Sequence, residues 1–187
     1  MKRLVIFASG SGSNAENIIN YFRSNKKAEV EMVLTPNPNA GVIERCQRLN
    51  VPCLVFNREE WKSGKILELL KEKNPDMIIL AGFMWLVPGE IIRAFPQRIV
   101  NIHPALLPKF GGKGMYGDNV HKAVSDDGET ETGITIHYVN EYYDEGQIIF
   151  QQKITINPHE NPEKIAQKVH ELEYKWYPEV ILKLLAQ

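Results

Sequence analysis

The sequence has few cysteines and no long apolar segment. Its two cysteines, Cys46 and Cys53, lack metal-ligand spacing, and we interpret them as reduced thiols of a cytoplasmic protein. The longest apolar run, residues 77–87, is shorter than the roughly 20 residues that a membrane span requires. Residues 4–8 are too few for the apolar core of a signal peptide. We therefore expect a cytoplasmic protein that contacts no membrane.

The sequence also lacks an excess of charge of either sign. It contains 22 Lys and Arg residues and 23 Asp and Glu residues, which gives a net charge of -1. Such a balance produces no strong field that would attract nucleic acid. The hydrophobic fraction of 43% is ordinary for a globular protein, and 187 residues suffice for one domain with a substantial core. We expect residues 1–187 to form a single domain.

No cluster of residues has the spacing of a catalytic metal site. The five histidines are scattered along the chain, at His103, His121, His137, His159 and His170. Neither cysteine lies near any of them in sequence. Since metal sites usually gather such ligands at short, regular spacings, we expect no bound metal.

Strand-like and helix-like patterns alternate through the first half of the chain. Continuous apolar runs at residues 4–7 and 77–81 are typical of strands buried on both faces of a sheet. Alternation of this kind predicts an α/β fold with right-handed parallel crossovers. Residues 59–73 are predicted to form one helix, and the last helix is predicted to start with an Asn161 cap and to kink or split at Pro178.

A glycine-rich loop at residues 8–14 follows the first predicted strand and precedes a predicted helix. Free backbone N–H groups at the start of a helix bind anions, and glycines let a ligand approach the backbone closely. Ser13 or Asn14 is expected to cap the helix. The loop therefore predicts a phosphate site, with a tight turn that binds nothing as the alternative.

The same loop matches a dinucleotide-binding pattern, through Gly10, Gly12 and Ala15. Dinucleotide sites also need an acidic residue at the end of the second strand, to hold the ribose hydroxyls. That strand ends in residues 35–37, Thr-Pro-Asn, without an Asp or a Glu. We therefore favour a phosphate monoester over a dinucleotide as the ligand.

Two further segments lie where ligands gather in such folds, after the carboxyl ends of strands. Residues 82–87 are unusually apolar for a connection, which indicates either a slot for a flat ligand or part of the core. Residues 109–117 contain four glycines and are predicted to form a mobile loop over the site.

Residues 101–108 place an amide, an imidazole and two prolines at the end of a predicted strand. Because strand side chains alternate, Asn101 and His103 are expected to point to the same side. Asp144 would complete an Asn–His–Asp group if it folded back to that edge, combining a donor, a proton carrier and a carboxylate. No serine or cysteine stands beside His103, which favours direct attack by a bound substrate over a covalent intermediate.

Four motifs together resemble those of the glycinamide ribonucleotide formyltransferases, which use 10-formyltetrahydrofolate in purine synthesis. The motifs are residues 9–14, 80–84, 101–108 and 144–149, and the resemblance covers essentially the whole chain. Ala105 stands where the family usually has serine. The resemblance implies a Rossmann-like three-layer α/β/α fold with a mostly parallel, twisted sheet of about seven strands and an antiparallel strand in the C-terminal half. Residues 1–100 would form the phosphate-binding half, and residues 101–187 the catalytic and folate-binding half.

The resemblance also implies roles for individual residues. The ribonucleotide would be held by Gly12, Ser13, Asn14 and Glu173. The folate would be held by Arg58, Met84, Trp85, Leu86, Val87 and Asn101, with Trp85 standing where the family usually has a basic residue. His103 would act as the general acid at the developing oxyanion, with Asn101 as a second donor. Asp144 would raise the pKa of His103.

The implied activity is transfer of the formyl group from 10-formyltetrahydrofolate to the amine of glycinamide ribonucleotide, by direct attack through a tetrahedral intermediate. The implied protein is a monomer or a homodimer. A formyltetrahydrofolate deformylase shares the Asn–His–Asp group and is one alternative, although it usually carries an extra regulatory domain. A methionyl-tRNA formyltransferase would need a further domain and a basic surface. A nucleotide-binding or NAD-dependent regulatory module is the alternative from another class.

Overall fold

The computed structural model describes residues 1–187, which form one seven-stranded sheet flanked by seven helices. The strands are β1 (Lys2–Phe7), β2 (Ala28–Thr35), β3 (Cys53–Val55), β4 (Met77–Leu80), β5 (Ile99–His103), β6 (Glu131–Tyr138) and β7 (Ile148–Thr155). The helices are α1 (Ser13–Asn25), α2 (Gly41–Arg48), α3 (Arg58–Lys62), α4 (Lys65–Lys73), α5 (Gly89–Ala94), α6 (Asp118–Asp126) and α7 (Pro162–Leu185). None of these helices is both long and apolar enough to cross a bilayer.

The strand order in the sheet is β3-β2-β1-β4-β5-β6-β7. All pairings from β3 to β5 are parallel, and β6 runs antiparallel to both of its neighbours. This arrangement confirms the expected α/β fold with a mostly parallel sheet and an antiparallel strand in the C-terminal half. The order reverses between β1 and β4, and a crevice opens at such a point at the carboxyl ends of the strands.

The core consists of two apolar layers, one on each face of the sheet. The larger layer packs α1, α2, α6 and α7 against one face. The smaller layer packs α3, α4 and α5 against the other face. Residues of β1 and β4 are buried on both faces, as their continuous apolar sequences predict. The helices therefore enclose the sheet and leave its carboxyl edge open for a site.

The structure corrects two predictions about helices. Residues 59–73 form two helices, because the chain turns at Gly64, whose φ of 85° interrupts helical geometry. The last helix begins at the predicted Asn161 cap, whose side chain accepts from the Glu163 N–H, but it is not split. Pro178 is buried inside the continuous helix α7.

The predicted cap of α1 is also wrong. Gly12 occupies the cap position with φ 77°, and neither Ser13 nor Asn14 provides a side-chain cap. A side chain at Gly12 is excluded, since its Cβ would lie 2.4 Å from the side chain of Val42. The tight contact with α2 thus fixes the loop and leaves the first N–H groups of α1 without protein acceptors.

One buried hydroxyl ties the last helix to the carboxyl ends of two central strands. The Tyr177 side chain is fully buried, and its hydroxyl lies 2.8 Å from the Leu80 carbonyl and 3.2 Å from the Val100 carbonyl. A hydroxyl has one proton to donate, so the two carbonyls share it. The contact holds α7 against the edge of the sheet where the site forms.

We expect Tyr177→Phe to lower the free energy of unfolding by about 1 kcal/mol, because it removes a buried hydrogen bond and leaves both carbonyls poorly satisfied. Urea denaturation of the variant and the parent protein would measure the change. Tyr142→Phe is the matched control, since Tyr142 is 65% exposed and should change stability by less than about 0.5 kcal/mol. Equal stabilities of the two variants would contradict the prediction.

Candidate active site

The principal cavity has a volume of about 450 Å³ and lies at the carboxyl ends of β1, β4 and β5. Its wall includes the loop at residues 10–14, the start of the apolar loop at residues 81–84, and the strand end at residues 101–104. Residues 112–118 and parts of α6 and α7 complete it. The three segments that the sequence placed at strand ends therefore meet at one cavity.

The glycine-rich loop is held rigidly from the side of α2. The Val42 N–H donates to the Gly10 carbonyl at 3.2 Å, and the Arg45 Nε–H donates to the Ser11 carbonyl at 2.8 Å. These bonds use the loop's carbonyls and leave N–H groups at the start of α1 directed outward. An electropositive helix start beside a cavity is suited to a phosphate group.

Asn101, His103 and Asp144 meet beside this cavity, as the sequence predicted. The Nδ1 atom of His103 lies 3.5 Å from Oδ1 of Asp144. The Nε2–H of His103 donates to the Phe110 carbonyl at 2.7 Å, which fixes the orientation of the ring. Because Nε2 is occupied, Nδ1 is the ring nitrogen that is left to exchange a proton with a ligand.

A fourth residue of this group, His137, was missed. Its Nδ1–H donates to the Tyr138 carbonyl at 2.9 Å, so Nε2 is the nitrogen that accepts from the Asn101 amide at 3.1 Å. The same Nε2 atom lies 3.7 Å from Oδ1 of Asp144. His137 faces Asn101 because the two residues are directly paired between β5 and β6. The signal that would have identified His137 is the pairing register of β5 and β6, which the sequence motifs alone do not reveal.

Burial affects the pKa of His103 more strongly than the sequence suggested. His103 is only 3% exposed, and burial lowers its pKa below the ordinary histidine value. The Asp144 carboxylate and the Phe110 carbonyl raise that pKa, as expected for Asp144, but burial outweighs them. The predicted effect of Asp144 is therefore present, but the net pKa of His103 is lowered, and the ring is mostly neutral near pH 7.

Asp144 itself stays ionised. Burial alone would raise its pKa, but the neighbouring His137 and His103 rings and the Gly112 N–H together lower it. The Gly112 N–H donates to Oδ2 at 3.0 Å. Residues 109–117, the predicted mobile loop, thus contribute a contact to the carboxylate and form part of the cavity wall.

The predicted folate residues divide into two groups. Met84 and Asn101 line the cavity, whereas Trp85, Leu86, Val87 and Arg58 do not. The Leu86 carbonyl accepts from the Trp61 indole N–H at 3.1 Å, and the Val87 side chain belongs to the smaller core layer.

Two residues of the apolar segment, Phe83 and Trp85, belong to an aromatic cluster. The rings of Phe7, Phe56, Trp61, Phe83 and Trp85 pack in edge-on or tilted pairs. The Arg58 guanidinium stacks over the Trp85 ring, 4.5 Å from its centre. The exposed side chains of Met84 and Leu86 lie on the same segment.

Glu173 reaches the cavity from α7, where the sequence placed it near the ribonucleotide. Its carboxylate accepts from the Asn14 amide at 2.9 Å and from His170 Nδ1–H at 2.8 Å. His121 also lines the cavity, next to His170. Sequence reasoning missed both histidines, although His170 precedes Glu173 by three residues and so shares its helix face. No group of three or more His, Cys, Asp or Glu side chains is arranged to hold a metal ion.

Comparisons with known proteins agree with the fold. The model of the family described as "Formyl transferase" matches residues 2–181. A phosphoribosylglycinamide formyltransferase of Bacillus subtilis is 38% identical, with 99% of this chain and 95% of that protein covered. A chloroplastic protein of the same name from Arabidopsis thaliana is also 38% identical over 96% of this chain, which spans 64% of that protein's length. The crystal structure of the Bacillus halodurans phosphoribosylglycinamide formyltransferase superposes with a TM-score of 0.89 at 36% identity, covering 100% of this chain and 96% of that one.

These matches extend over both halves of the chain, from the glycine-rich loop to α7, and they confirm the resemblance found in the motifs. Both of these relatives are named as formyltransferases. The chain belongs to the formyl transferase family.

Proposed function

We propose that this chain transfers the formyl group of 10-formyltetrahydrofolate to the amine of N1-(5-phosphoribosyl)glycinamide, yielding the N-formyl product and tetrahydrofolate in purine biosynthesis. The observation that carries the proposal is the single cavity shared by the phosphate loop and the Asn101–His103–Asp144 group. A phosphorylated amine needs an anion site at one end and a proton carrier at the other. This cavity has both.

The residues of the cavity suit a direct transfer. In the balanced reaction the amine nitrogen bonds to the formyl carbon, the bond from that carbon to N10 breaks, and one proton moves from the amine to N10. A bound 10-formyltetrahydrofolate would supply the formyl group. The Asn101 amide keeps one N–H free after donating to His137, and this N–H stabilises the negative charge that develops on the formyl oxygen.

His103 carries the proton in this proposal. It is mostly neutral at rest, so Nδ1 has a lone pair that takes the proton from the attacking amine. Asp144 lies 3.5 Å from Nδ1 and stabilises the imidazolium that results. The protonated ring then donates to the departing N10. The resemblance implied that His103 acts as a general acid. In this proposal His103 acts first as a general base towards the amine and then as a general acid towards N10.

A positive charge next to the apolar segment, outside the cavity lining, favours a carboxylated co-substrate. Arg58 has no acidic partner and stacks on Trp85, whose neighbours in sequence include the exposed Met84 and Leu86. Stacking orients the guanidinium without neutralising its charge, so it is free to pair with a carboxylate of the folate tail. We assign the pterin to the segment at residues 82–87 and the tail to Arg58 and Trp85, while Gly12, Ser13, Asn14 and Glu173 hold the ribonucleotide.

The remaining assignments follow from the same proposal. The chain needs no metal for this chemistry, and its partners are the two substrates rather than nucleic acid or membrane. A cytoplasmic location, a single domain over residues 1–187, and a monomeric or homodimeric state stay predictions.

Release of tetrahydrofolate from the formyl donor, with and without phosphoribosylglycinamide, tests the activity and separates the alternatives. Release that depends strictly on the amine supports transfer. Equal release without the amine would identify a deformylase and contradict the proposal. An absence of release under both conditions would leave a binding module, and it would also contradict the proposal.

We expect His103→Ala and Asp144→Ala each to lower kcat by a factor of about 100–1000 or more, because the reaction loses its proton carrier or the charge that stabilises it. Both variants should still bind the folate donor. His159→Ala is the control, since that exposed histidine lies outside the cavity and should retain parental turnover. Near-normal turnover in either active-site variant would overturn the assignment.

We expect Asp144→Asn to lower the pKa of His103 further below its ordinary value, because the variant lacks the carboxylate that opposes the effect of burial. Proton NMR titration of the His103 ring would measure the shift. Asp126→Asn is the control, since Asp126 is exposed, pairs with Lys122 and should leave the His103 midpoint unchanged. A His103 midpoint that stays constant or rises in Asp144→Asn would show that the two groups do not interact.

We expect Trp85→Ala to raise the KM for the formyl donor about two- to fivefold while kcat changes little, because Arg58 loses the ring on which it stacks. Trp85→Phe keeps an aromatic face and should retain most of the affinity. Steady-state kinetics with both substrates varied would separate this effect from one on the ribonucleotide. Unchanged donor affinity in Trp85→Ala would remove Trp85 from the folate site.

A further inference from the structure

A second cavity is formed by the segment that follows His103, together with the start of β6 and the turn before it. It has a volume of about 230 Å³ and is lined by Leu106, Lys109, Phe110, Glu129, Glu131 and Thr132. None of these residues lines the larger cavity. A buried water needs only about 10–15 Å³, so this second cavity has room for a small organic molecule. The proposed formyl transfer makes no use of it.

One polar side chain of this lining is buried and has no partner in the protein. Thr132 is only 2% exposed, and its hydroxyl is sealed from solvent without any hydrogen-bond partner. On the same strand, by contrast, the Thr135 hydroxyl donates to the Ala105 carbonyl and accepts from the Leu107 N–H. Buried hydroxyls are normally satisfied, so the Thr132 hydroxyl is a group that an occupant of the cavity would satisfy.

The two carboxylates of the lining are only weakly engaged. Oε1 of Glu129 pairs at 2.6 Å with Lys109, the only lysine or arginine of the lining. Oε1 of Glu131 pairs at 2.8 Å with Lys153, which lies outside the lining. The two lysine side chains are 67% and 66% exposed, and ion pairs of such exposure contribute little stability. Both carboxylates are therefore available to a ligand.

A third carboxylate makes the surroundings of the cavity negative. The hydrogen bond from Lys109 to Glu129 and the nearby charge of Asp127 raise the pKa of the Lys109 ammonium above its ordinary value. The three carboxylates of Glu129, Glu131 and Asp127 exceed the two ammonium groups by one, which leaves a net charge of -1. A cation would neutralise this charge, whereas an anion would be repelled.

The chemistry of the walls selects an organic cation rather than a metal ion. No three His, Cys, Asp or Glu side chains are arranged to hold a metal. Leu106 and Phe110 provide half-buried apolar surface, and an aromatic ring also attracts an ammonium group. A primary ammonium has three N–H donors, one for each carboxylate of the lining and one for the Thr132 hydroxyl.

We propose that this cavity is a second binding site, for a small organic cation that carries a primary ammonium group on an apolar body, and that its occupant is sensed at His103. Phe110 provides the connection, because it lines the cavity and its carbonyl accepts from the His103 Nε2–H at 2.7 Å. The backbone of Phe110 has a φ of 55°, in the left-handed region that a bulky residue adopts only when its surroundings hold it there. An occupant that packs against the Phe110 ring therefore acts on the carbonyl that orients His103.

Two probes of the same shape test the requirement for a positive charge. Phenethylamine is protonated near neutral pH, and phenethyl alcohol has a hydroxyl in place of the ammonium. NMR titration of the Leu106 methyl groups in the parent protein measures the Kd of each probe. We expect the amine to bind at least about fivefold more tightly, because only the amine pairs with the carboxylates as a cation. Equal affinities, or no saturable change at Leu106, would overturn the inference.

A variant of the lining tests whether the ammonium binds in this cavity. Glu129→Gln keeps the size of the side chain but removes its charge and leaves Lys109 unpaired, so the preference for the amine should fall to about twofold or less. Glu68→Gln is the matched control, since it also removes a carboxylate that pairs with a lysine, but on α4 and outside the cavity. It should behave as the parent protein. An unchanged preference in Glu129→Gln would overturn the assignment of the ammonium to this cavity.

Thr132→Val separates a binding role of the hydroxyl from a structural one. The variant should bind phenethylamine about threefold or more weakly, because the ammonium loses an acceptor. Its free energy of unfolding should not fall, since the hydroxyl has no partner in the protein itself. Thr135→Val is the contrasting control, because it removes a hydroxyl with protein partners and should lower stability. Unchanged amine affinity in Thr132→Val would remove the hydroxyl from the site.

The NMR signals of the His103 ring test the link to the active site. Phenethylamine should shift these signals in the parent protein with the same midpoint as the Leu106 signals. Glu129→Gln should lose the shift at the same amine concentration, and ammonium chloride at equal ionic strength should not produce it. His103 signals that stay constant while the cavity saturates would overturn the link. These measurements involve no formyl transfer, so a failure of the proposed function would leave them unchanged.

Discussion

The placement of the Asp144 carboxylate between two imidazole rings is the interaction on which the active site depends. Asp144 lies on the connection between β6 and β7, and its backbone has a φ of 57°, in the left-handed region that aspartate adopts more readily than most residues other than glycine. Two residues later, Gly146 passes so close to β6 that a Cβ there would lie 1.6 Å from the Tyr138 carbonyl oxygen. Only glycine fits, so the turn that aims Asp144 at His103 is fixed by backbone packing.

The sheet supplies the rest of the geometry. Three parallel strands, β1, β4 and β5, end at one edge, and β6 returns antiparallel beside β5. This return brings His137 opposite Asn101 and then carries the chain to Asp144. The reversal of strand order between β1 and β4 opens the crevice into which these groups face. A wholly parallel sheet would have needed a further crossover to bring a carboxylate to His103.

The residues whose positions follow from local pattern were predictable from the sequence. Asn101 and His103 alternate along a strand, and the glycine-rich loop lies between a buried strand and a helix, so their meeting at the carboxyl edge follows from the fold class. His137 was missed because its role comes from the pairing register of β5 and β6, which no single segment encodes. The net pKa of His103 could not be predicted from the sequence for a related reason. The charge of Asp144 is visible in the sequence, whereas the depth of burial that outweighs it is a property of the assembled site.

The charges that line the cavity would orient the phosphorylated amine of the proposed reaction. Asp118, Asp144 and Glu173 contribute carboxylates to the wall, and Lys113 is the only lysine or arginine there. A phosphate is repelled from most of this surface, and the start of α1 offers it N–H groups and a favourable dipole instead. In the proposed complex the amine, which carboxylates tolerate, would lie at the opposite end, beside Asp144 and His103. Under the proposed function the acidic wall would therefore orient the substrate, and a neutral proton carrier such as His103 suits an amine that must lose a proton there.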